Sequence, residues 1–342
     1  MLLVRNVRLA DLESLFDLIG KSEFGLTTLT ISKDKLRTRI EDSVFAFQRS
    51  DAKPAGQPYV FVLEDTSKQE LVGTSAIYAK VGGFEPFYSY EIRTSLHESS
   101  ELGIRKVVPA LHLKEEHDGP TEIGSLFLSP DYWGNGHGRL LSLSRFLFVA
   151  QFPGRFEDQI IAELRGVVDK NGKSPLWSAV GSHFFQIGFP KAETLTSESK
   201  KFIADLMPRH PIYIPLLPPE AQEVIGQVHR NTRPARAMLE SEGFEYRNIV
   251  DIFDGGPSVH VATKDVRVVQ QNRLCAVRTI GDVQNAGPRK IISNCNLSFR
   301  CCLATVVIDG ESATIDEETA NCLEVNIGDS IRVVDLKPDK AR

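Results

Sequence analysis

The segment Ser129-Pro-Asp-Tyr-Trp-Gly-Asn-Gly-His-Gly-Arg-Leu-Leu constrains this chain more than any other stretch. It sets Gly134, Gly136 and Gly138 at alternate positions between an apolar, strand-like run over residues 122–128 and a helix-like run over residues 140–149. Alternate glycines let a backbone pass close to a bulky anion. The free amides of the helix's first turn, helped by the macrodipole, then face that anion. A glycine loop is also simply a tight strand-to-helix turn, so the motif alone leaves both readings open.

The flanking text predicts an α/β layered domain. Residues 3–9 alternate apolar and polar, and Asp11 suits an N-cap before Leu12, Leu15, Phe16 and Ile19 at helical spacing. A second amphipathic helix is expected over 36–47, a loop at 54–58, and a hairpin of strands 59–63 and 71–79. Residues 80–120 show no clear period and read as an irregular functional insertion. After the glycine loop come a buried strand at 160–168 and a helix at 174–185, with Pro175 in its first turn.

Further on, helices are expected at 197–206, 221–229 and 234–242, the last ended by Gly243, with a stiff five-proline loop over 208–219. From residue 266 the runs are short and β-like, at 267–269, 303–308 and 330–334. The expected units are 1–192, 193–265 and a small β-rich subdomain, 266–342.

Composition removes several classes of function. With 40 Lys and Arg against 45 Asp and Glu, the net charge is −5, which argues against a nucleic-acid surface. The most apolar run, 140–152, is broken by Arg145, and Arg5, Arg8 and Asp11 interrupt the N-terminal one, so neither a membrane span nor a signal peptide is expected. The five cysteines are odd in number, with no Cys-x-x-Cys spacing and no histidine pair beside them. That predicts reduced thiols in a cytoplasmic protein, with no disulfide framework and no metal site.

Three phosphate cradles compete for the loop. A Walker loop needs Gly-Lys-Ser/Thr, and here Gly138 is followed by Arg139-Leu140. A dinucleotide fold needs Gly-x-Gly-x-x-Gly early in a βαβ unit with an acidic residue ending the next strand. The third is the pyrophosphate loop of the GCN5-related N-acetyltransferase (GNAT) superfamily, which fits both spacing and position. More narrowly, TEIGSLFLSPDYWGNGHGRLLSLSRFLFVA, AELRGVVDKNGKSPLWSAVGSHFFQIGF, FIADLMPRHPIYIPLL, AQEVIGQVHRNTRPARAMLESEGFEYRN and VDIFDGGP resemble the arginine N-succinyltransferase family. GLTTL and YVFVLED are of the same type, while the tail matches loosely.

The resemblance implies a GNAT-like mixed sheet flanked by helices, and transfer of succinyl from succinyl-CoA to the α-amine of L-arginine. Succinyl-CoA is then a co-substrate, with no permanently bound cofactor. Oligomers are implied, of this chain or with a paralogous subunit. Ornithine preference, or a non-catalytic succinyl-CoA sensor or partner subunit, are the other readings.

By resemblance, Leu126, Phe127 and Leu128 lie on a strand that splays to receive the acyl-CoA arm, Leu126 marking the contact. Gly134, Gly136, His137, Gly138 and Arg139 form the cradle. Trp133 stands where the pattern has Arg or Gln, so His137 or Arg139 is expected to supply the missing donor. His229 matches the family's proton donor. Taken alone, a histidine at a helix C-terminus more often compensates the dipole.

The endings of 174–189 and 231–244 are alike, which suggests two GNAT-like halves with the histidine entering a cleft between them. Glu163, Arg165, Arg145, Asp251 and Asp254 are candidates for the substrate's charges, with ordinary ion pairs the commoner explanation for each.

Overall fold

A computed structural model describes residues 1–21, 32–50, 53–169, 171–196, 200–283 and 287–338. The block GLTTL, residues 25–29, lies outside them. The first ten strands are β1 (Leu2–Asn6), β2 (Pro58–Asp65), β3 (Glu70–Tyr78), β4 (Phe87–Ser99), β5 (Ile104–Glu116), β6 (Thr121–Leu128), β7 (Gln159–Glu163), β8 (Ile212–Tyr213), β9 (Glu245–Val250) and β10 (Pro257–Ala262). The tail adds β11 (Arg273–Ile280), β12 (Lys290–Asn294), β13 (Arg300–Ala304), β14 (Val307–Asp309), β15 (Ser312–Ile315) and β16 (Ser330–Asp335).

Together they form one mixed sheet in the order β14-β15-β11-β16-β12-β13-β1-β2-β3-β6-β7-β10-β9-β4-β5-β8. Two neighbouring pairs run parallel, β6 with β7 and β11 with β15.

Both faces of the central strands are covered, which is why β2 reads as an almost unbroken apolar run. Val60 and Val62 meet helices α1 (Leu12–Gly20) and α2 (Lys33–Gln48) through Leu12, Leu15, Leu36 and Ile40. Tyr59, Phe61 and Leu63 point the other way, onto α3 (His137–Gln151). Residues 140–149 of α3 are all buried, so this helix is enclosed on every side. Phe148 stands edge-on to Phe47, Phe61 and Phe299 at 5.3–5.5 Å, and Phe299 comes from the tail. No helix among the described residues is long and apolar enough to cross a membrane.

Arg145 settles one expectation. It is 2% exposed, and it faces no carboxylate in an ion pair among the described residues. Its Nη1 donates to the carbonyls of Ala76 and Gly124, its Nε to the Ser142 carbonyl and its Nη2 to Ser142 Oγ. Burial pulls its pKa down to about 9. These bonds clamp the irregularity where the β3–β6 register shifts between Thr74 and Ala76 and Ser125 takes a left-handed φ of 51°. Arg145 is therefore a tie between helix and bulge rather than the ordinary ion pair expected for it.

Several predicted elements differ. Residues 80–120 contain a long regular hairpin, β4–β5, paired from Phe87–Glu116 to Ser99–Ile104. Its outer half projects into solvent, so the alternation that marks a half-buried strand is lost there. Residues 267–269, expected as strand, belong to a helix, Arg267–Gln271, fixed by the Arg267–Glu242 ion pair. The helix expected at 221–229 stops at Val224, and the one at 174–185 breaks into Pro175–Ala179 and Gly181–Phe185. Asp11 does not cap α1 with its side chain; it grips the buried Arg5 through both oxygens, at 2.8 and 2.9 Å.

Packing does not separate at residue 192. The hairpin β4–β5 pairs with β9, β10 pairs with β7, and Met238, Leu239 and Phe244 join the core around α3. The tail does gather its own core, around Val277, Ile292, Ala313, Leu323 and Ile331, while β13 joins it to β1.

Candidate active site

One strand pairing stops early. β6 and β7 meet only at Thr121–Ile160 and Glu122–Ile161. Beyond that point β6 continues along β3 to Leu128, while β7 keeps only its partner β10. The edge of β6 over residues 123–128 therefore opens onto a wedge, and Leu126, Phe127 and Leu128 lie on that edge. Backbone groups there have no strand to satisfy them, the condition for receiving an extended amide-containing chain.

At the mouth of the wedge the chain turns into α3. Gly134, Asn135 and Gly136 have left-handed φ of 92°, 51° and 84° in succession, and Gly136 is the N-cap residue. The amides of Gly138 and Arg139, in the first turn, have no acceptor within the helix. This is the anion-facing geometry expected of the loop. His137 donates from Nδ1 to the Tyr132 carbonyl at 3.0 Å, which stiffens the loop. Arg139 buries its Nη1 without a hydrogen bond and is near enough to Glu242 to pull that carboxyl's pKa downward against burial.

Trp133 is 66% exposed, and its Nε1 donates to the Leu128 carbonyl at 3.0 Å. One carbonyl of the open strand is thus already taken by the residue that departs from the loop pattern.

A Cβ on Gly136 would lie 2.6 Å from Leu336 Cδ2, at a φ that L-residues rarely adopt. Gly136→Ala is expected to cost about 1–2 kcal/mol, seen as a lower urea midpoint. An unchanged midpoint would mean that the loop relaxes freely.

His229 reaches the wedge through its backbone. It follows the helix Pro219–Val224 by an extended stretch, and its amide donates to the Arg165 carbonyl, two residues beyond the end of β7, at 2.9 Å. It is half-buried. Its Nδ1 accepts from the Asn231 amide at 3.3 Å, so the neutral ring carries its hydrogen on Nε2, as a donor. The structure thus places the histidine as the start of a turn, not as the end of a helix.

The sheet face away from α3 supplies the charge. Register sets Tyr78 opposite Glu122, Glu122 opposite Ile161, Ile161 opposite His260 and Glu163 opposite Ser258. Opposed residues share a face, and Ile123, Ala162 and Val259 occupy the α3 side. Glu122, Glu163, Ser258 and His260 therefore form one polar row. Glu163 Oε1, Ser258 Oγ, His260 Nε2 and, nearby, Tyr90 Oη are buried without a hydrogen-bond partner among the described residues.

Around them the carboxylates crowd. Burial, then repulsion from Asp251 and Glu122, holds Glu163 well above the ordinary carboxylate range. Burial raises Glu122 to about 7 against the pull of Lys200 and Arg39. Asp254 rises to about 8 through burial and Asp251, and Glu193, on the helix Phe189–Thr196, to about 9 through burial and then Asp254. Burial draws His260 down to about 4, with Arg247 and Lys114 adding to it.

Among the described residues, the ion pairs expected as the commoner explanation for Glu163, Asp251 and Asp254 are not present. Asp251 Oδ1 accepts from the amides of Phe253 and Asp254, both at 2.7 Å. Asp254 holds the amides of Gly166 at 2.6 Å and Gly256 at 2.7 Å. A Cβ on Gly166 would sit 2.6 Å from Asp254, so the glycines let this loop close against β7. Among the described residues, no three His, Cys, Asp or Glu side chains converge to hold a metal ion.

Sequence reasoning does not single out Glu122, Glu193, Ser258 or Tyr90. The available signal is an acid inside the strand Thr121-Glu-Ile-Gly, between two residues that are buried in the fold.

Comparison with known proteins finds relatives along the whole chain. A family model described as "Arginine N-succinyltransferase beta subunit" matches residues 2–268, and one for that subunit's C-terminal domain matches 273–335. Arginine N-succinyltransferases of Yersinia pestis and Photorhabdus laumondii are 42% and 44% identical, over 98% and 99% of both chains. The solved structure of arginine/ornithine succinyltransferase subunit AI from Pseudomonas aeruginosa superposes with a TM-score of 0.90 at 35% identity, covering 98% of this chain and 99% of that one. A wedge beside a glycine-capped helix, in a chain related end to end to these enzymes, makes it a member of the arginine N-succinyltransferase family of acyltransferases.

Proposed function

We propose that this chain transfers the succinyl group of succinyl-CoA to the α-amino group of L-arginine, giving N2-succinylarginine and free CoA. The observation that carries the reading is the meeting of two features at one wedge. On one side lie an open strand edge and a glycine-capped helix N-terminus, suited to a pantetheine arm and a pyrophosphate. On the other lies a pocket of carboxylates whose protons a cationic amine can replace. Succinyl-CoA is a substrate in this reading, and no bound cofactor is required.

The amine must attack as the neutral base, the carbonyl oxygen must be stabilised, and the leaving sulfur must gain a proton. The backbone amides of Leu126 and Leu128, on the open edge, face the thioester, the amides of Gly138 and Arg139 face the pyrophosphate, and the His229 imidazole serves the sulfur. The matching family is that of a beta subunit, and the Pseudomonas relative is itself one subunit of an enzyme. Both favour an oligomer, of this chain or with a paralogous one, and the cysteines, free in the structure, fit a place in the cytoplasm. That relative is an arginine/ornithine succinyltransferase, which supports a second reading in which ornithine is also accepted.

The test is thiol release by the purified chain from succinyl-CoA, with arginine, ornithine or no amine, and from acetyl-CoA as a control. Arginine-dependent release from succinyl-CoA alone is expected. No release with any amine, despite a melting temperature raised by succinyl-CoA, would instead make the chain a binding subunit.

A further inference from the structure

We propose that Glu163 takes the first proton from the α-ammonium group of the acceptor amine, which rests on the reaction proposed above. Its position argues for this. Glu163 lies two residues past Ile161, the last β7 residue paired with β6, so it stands where the wedge opens. Two residues further on, the Arg165 carbonyl holds the His229 amide. Acceptor and donor groups are thereby mounted on one short length of chain.

The other carboxylates have different work. Asp251 and Asp254 are tied to backbone amides, and Glu242 is locked to Arg267. Glu122 lies deeper, at the last β6–β7 pair, under the influence of Lys200 and Arg39. Glu193 lies on a helix, under the influence of Asp254 and Asp251, and not on either strand that forms the wedge. Glu163 Oε1 is buried and accepts no hydrogen bond among the described residues.

Buried polar atoms without a partner among the described residues surround it. Ser258, directly across β10, is 1% exposed and its Oγ has no partner. Tyr90, fully buried, has an unpartnered Oη beside Asp251. Leaving such atoms unsatisfied is costly, and an ammonium group with three hydrogens satisfies several at once.

The proton count closes. The N–H bond of the ammonium breaks and its proton goes to Glu163 Oε1. The freed nitrogen lone pair forms the bond to the thioester carbon, and the C–S bond breaks as the tetrahedral centre collapses. His229 Nε2 gives its hydrogen to the leaving sulfur and in the same step takes up the nitrogen's second surplus proton, while Glu163 returns its own to water. Groups facing Glu163 are Glu122 from β6, Asp251 and Asp254 from the loop, Ser258 from β10, and Lys200. The two positive charges of arginine offset the repulsion among those carboxylates and leave Glu163 ionised when the amine arrives.

Glu163→Gln is the test, with arginine and argininamide as acceptors. The amide's α-amine is the weaker base and is largely neutral at mildly alkaline pH. With arginine, kcat is expected to fall about 100-fold or more, while KM for succinyl-CoA changes little. With argininamide the loss should be clearly smaller, and Glu163→Asp should recover part of the arginine rate. The rate of Glu163→Gln should also climb with pH as free amine increases.

A Glu163→Gln enzyme within about threefold of wild type, well short of the loss a general base implies, and with the same pH profile, overturns the assignment. So does an equal loss with both amines that Glu163→Asp does not relieve, which would make the residue structural. Failure of the wild-type chain itself to use arginine would instead strike the proposed reaction.

Discussion

Replacing His229 with alanine is expected to lower kcat about 100-fold or more, the scale of a lost general acid–base group. The backbone should stay in place, because the His229 amide is held by the Arg165 carbonyl whatever the side chain. KM for succinyl-CoA should therefore move little, which separates loss of chemistry from loss of binding. His229→Gln sharpens the result. Glutamine can present an N–H near the position of Nε2 but cannot carry a proton across. Substantial activity in that variant would mean that the imidazole acts only as a hydrogen-bond donor. A His229→Ala kcat equal to wild type would remove the residue from the mechanism.

Second in size is the response to pH. Glu122, Asp254 and Glu193 have folded-state values of about 7, 8 and 9, all above the range near 4 of an unfolded chain. A carboxyl raised on folding binds its proton more tightly in the folded state. Its stabilising share is complete below about pH 4 and is lost as pH climbs through the folded value. The unliganded chain should melt at progressively lower temperature between about pH 6 and 9.

Glu193→Gln removes one of these titrations. It should raise the melting temperature relative to wild type at about pH 9, with the difference vanishing near pH 4. Arginine, by supplying positive charge, should restore stability most at the alkaline end. It should also release protons on binding, so that its calorimetric enthalpy depends on the buffer. A flat melting profile from about pH 6 to 9, unmoved by Glu193→Gln, would mean that these carboxyls are solvated and ordinary.

The glycine loop is legible in the sequence because its constraints are local. Three glycines at fixed spacing and a long apolar run dictate a turn into a buried helix, and α3 begins at His137 accordingly. The open edge at residues 126–128 is expected only through family resemblance, since a missing neighbour leaves no mark on a strand's own sequence. The acid pocket is half legible. Glu163, Asp251 and Asp254 draw notice, but ion pairs are common, and the absence of a partner is a fact of three-dimensional packing. Glu193 and Tyr90 come from segments distant in sequence, and β9, pairing with both β4 and β10, ties Tyr90 into the site. The hairpin β4–β5 escapes a reading by period for a related reason, because its outer strands pair with each other and face solvent on both sides.

The place of β1 has a bearing on how the chain is made. Its residues are held by β2 on one edge and β13 on the other, and Asn6 bridges to Leu297 and Phe299. At ribosomal speeds of roughly 5–20 residues per second, about 15–60 seconds separate synthesis of β1 from that of β13. Throughout that interval the first strand to emerge keeps a bare, apolar edge, with Leu3 and Val4 awaiting cover. The C-terminal unit thus closes the central sheet as well as extending it, and a chain released early would expose an aggregation-prone seam beside an otherwise complete β6–β7 wedge.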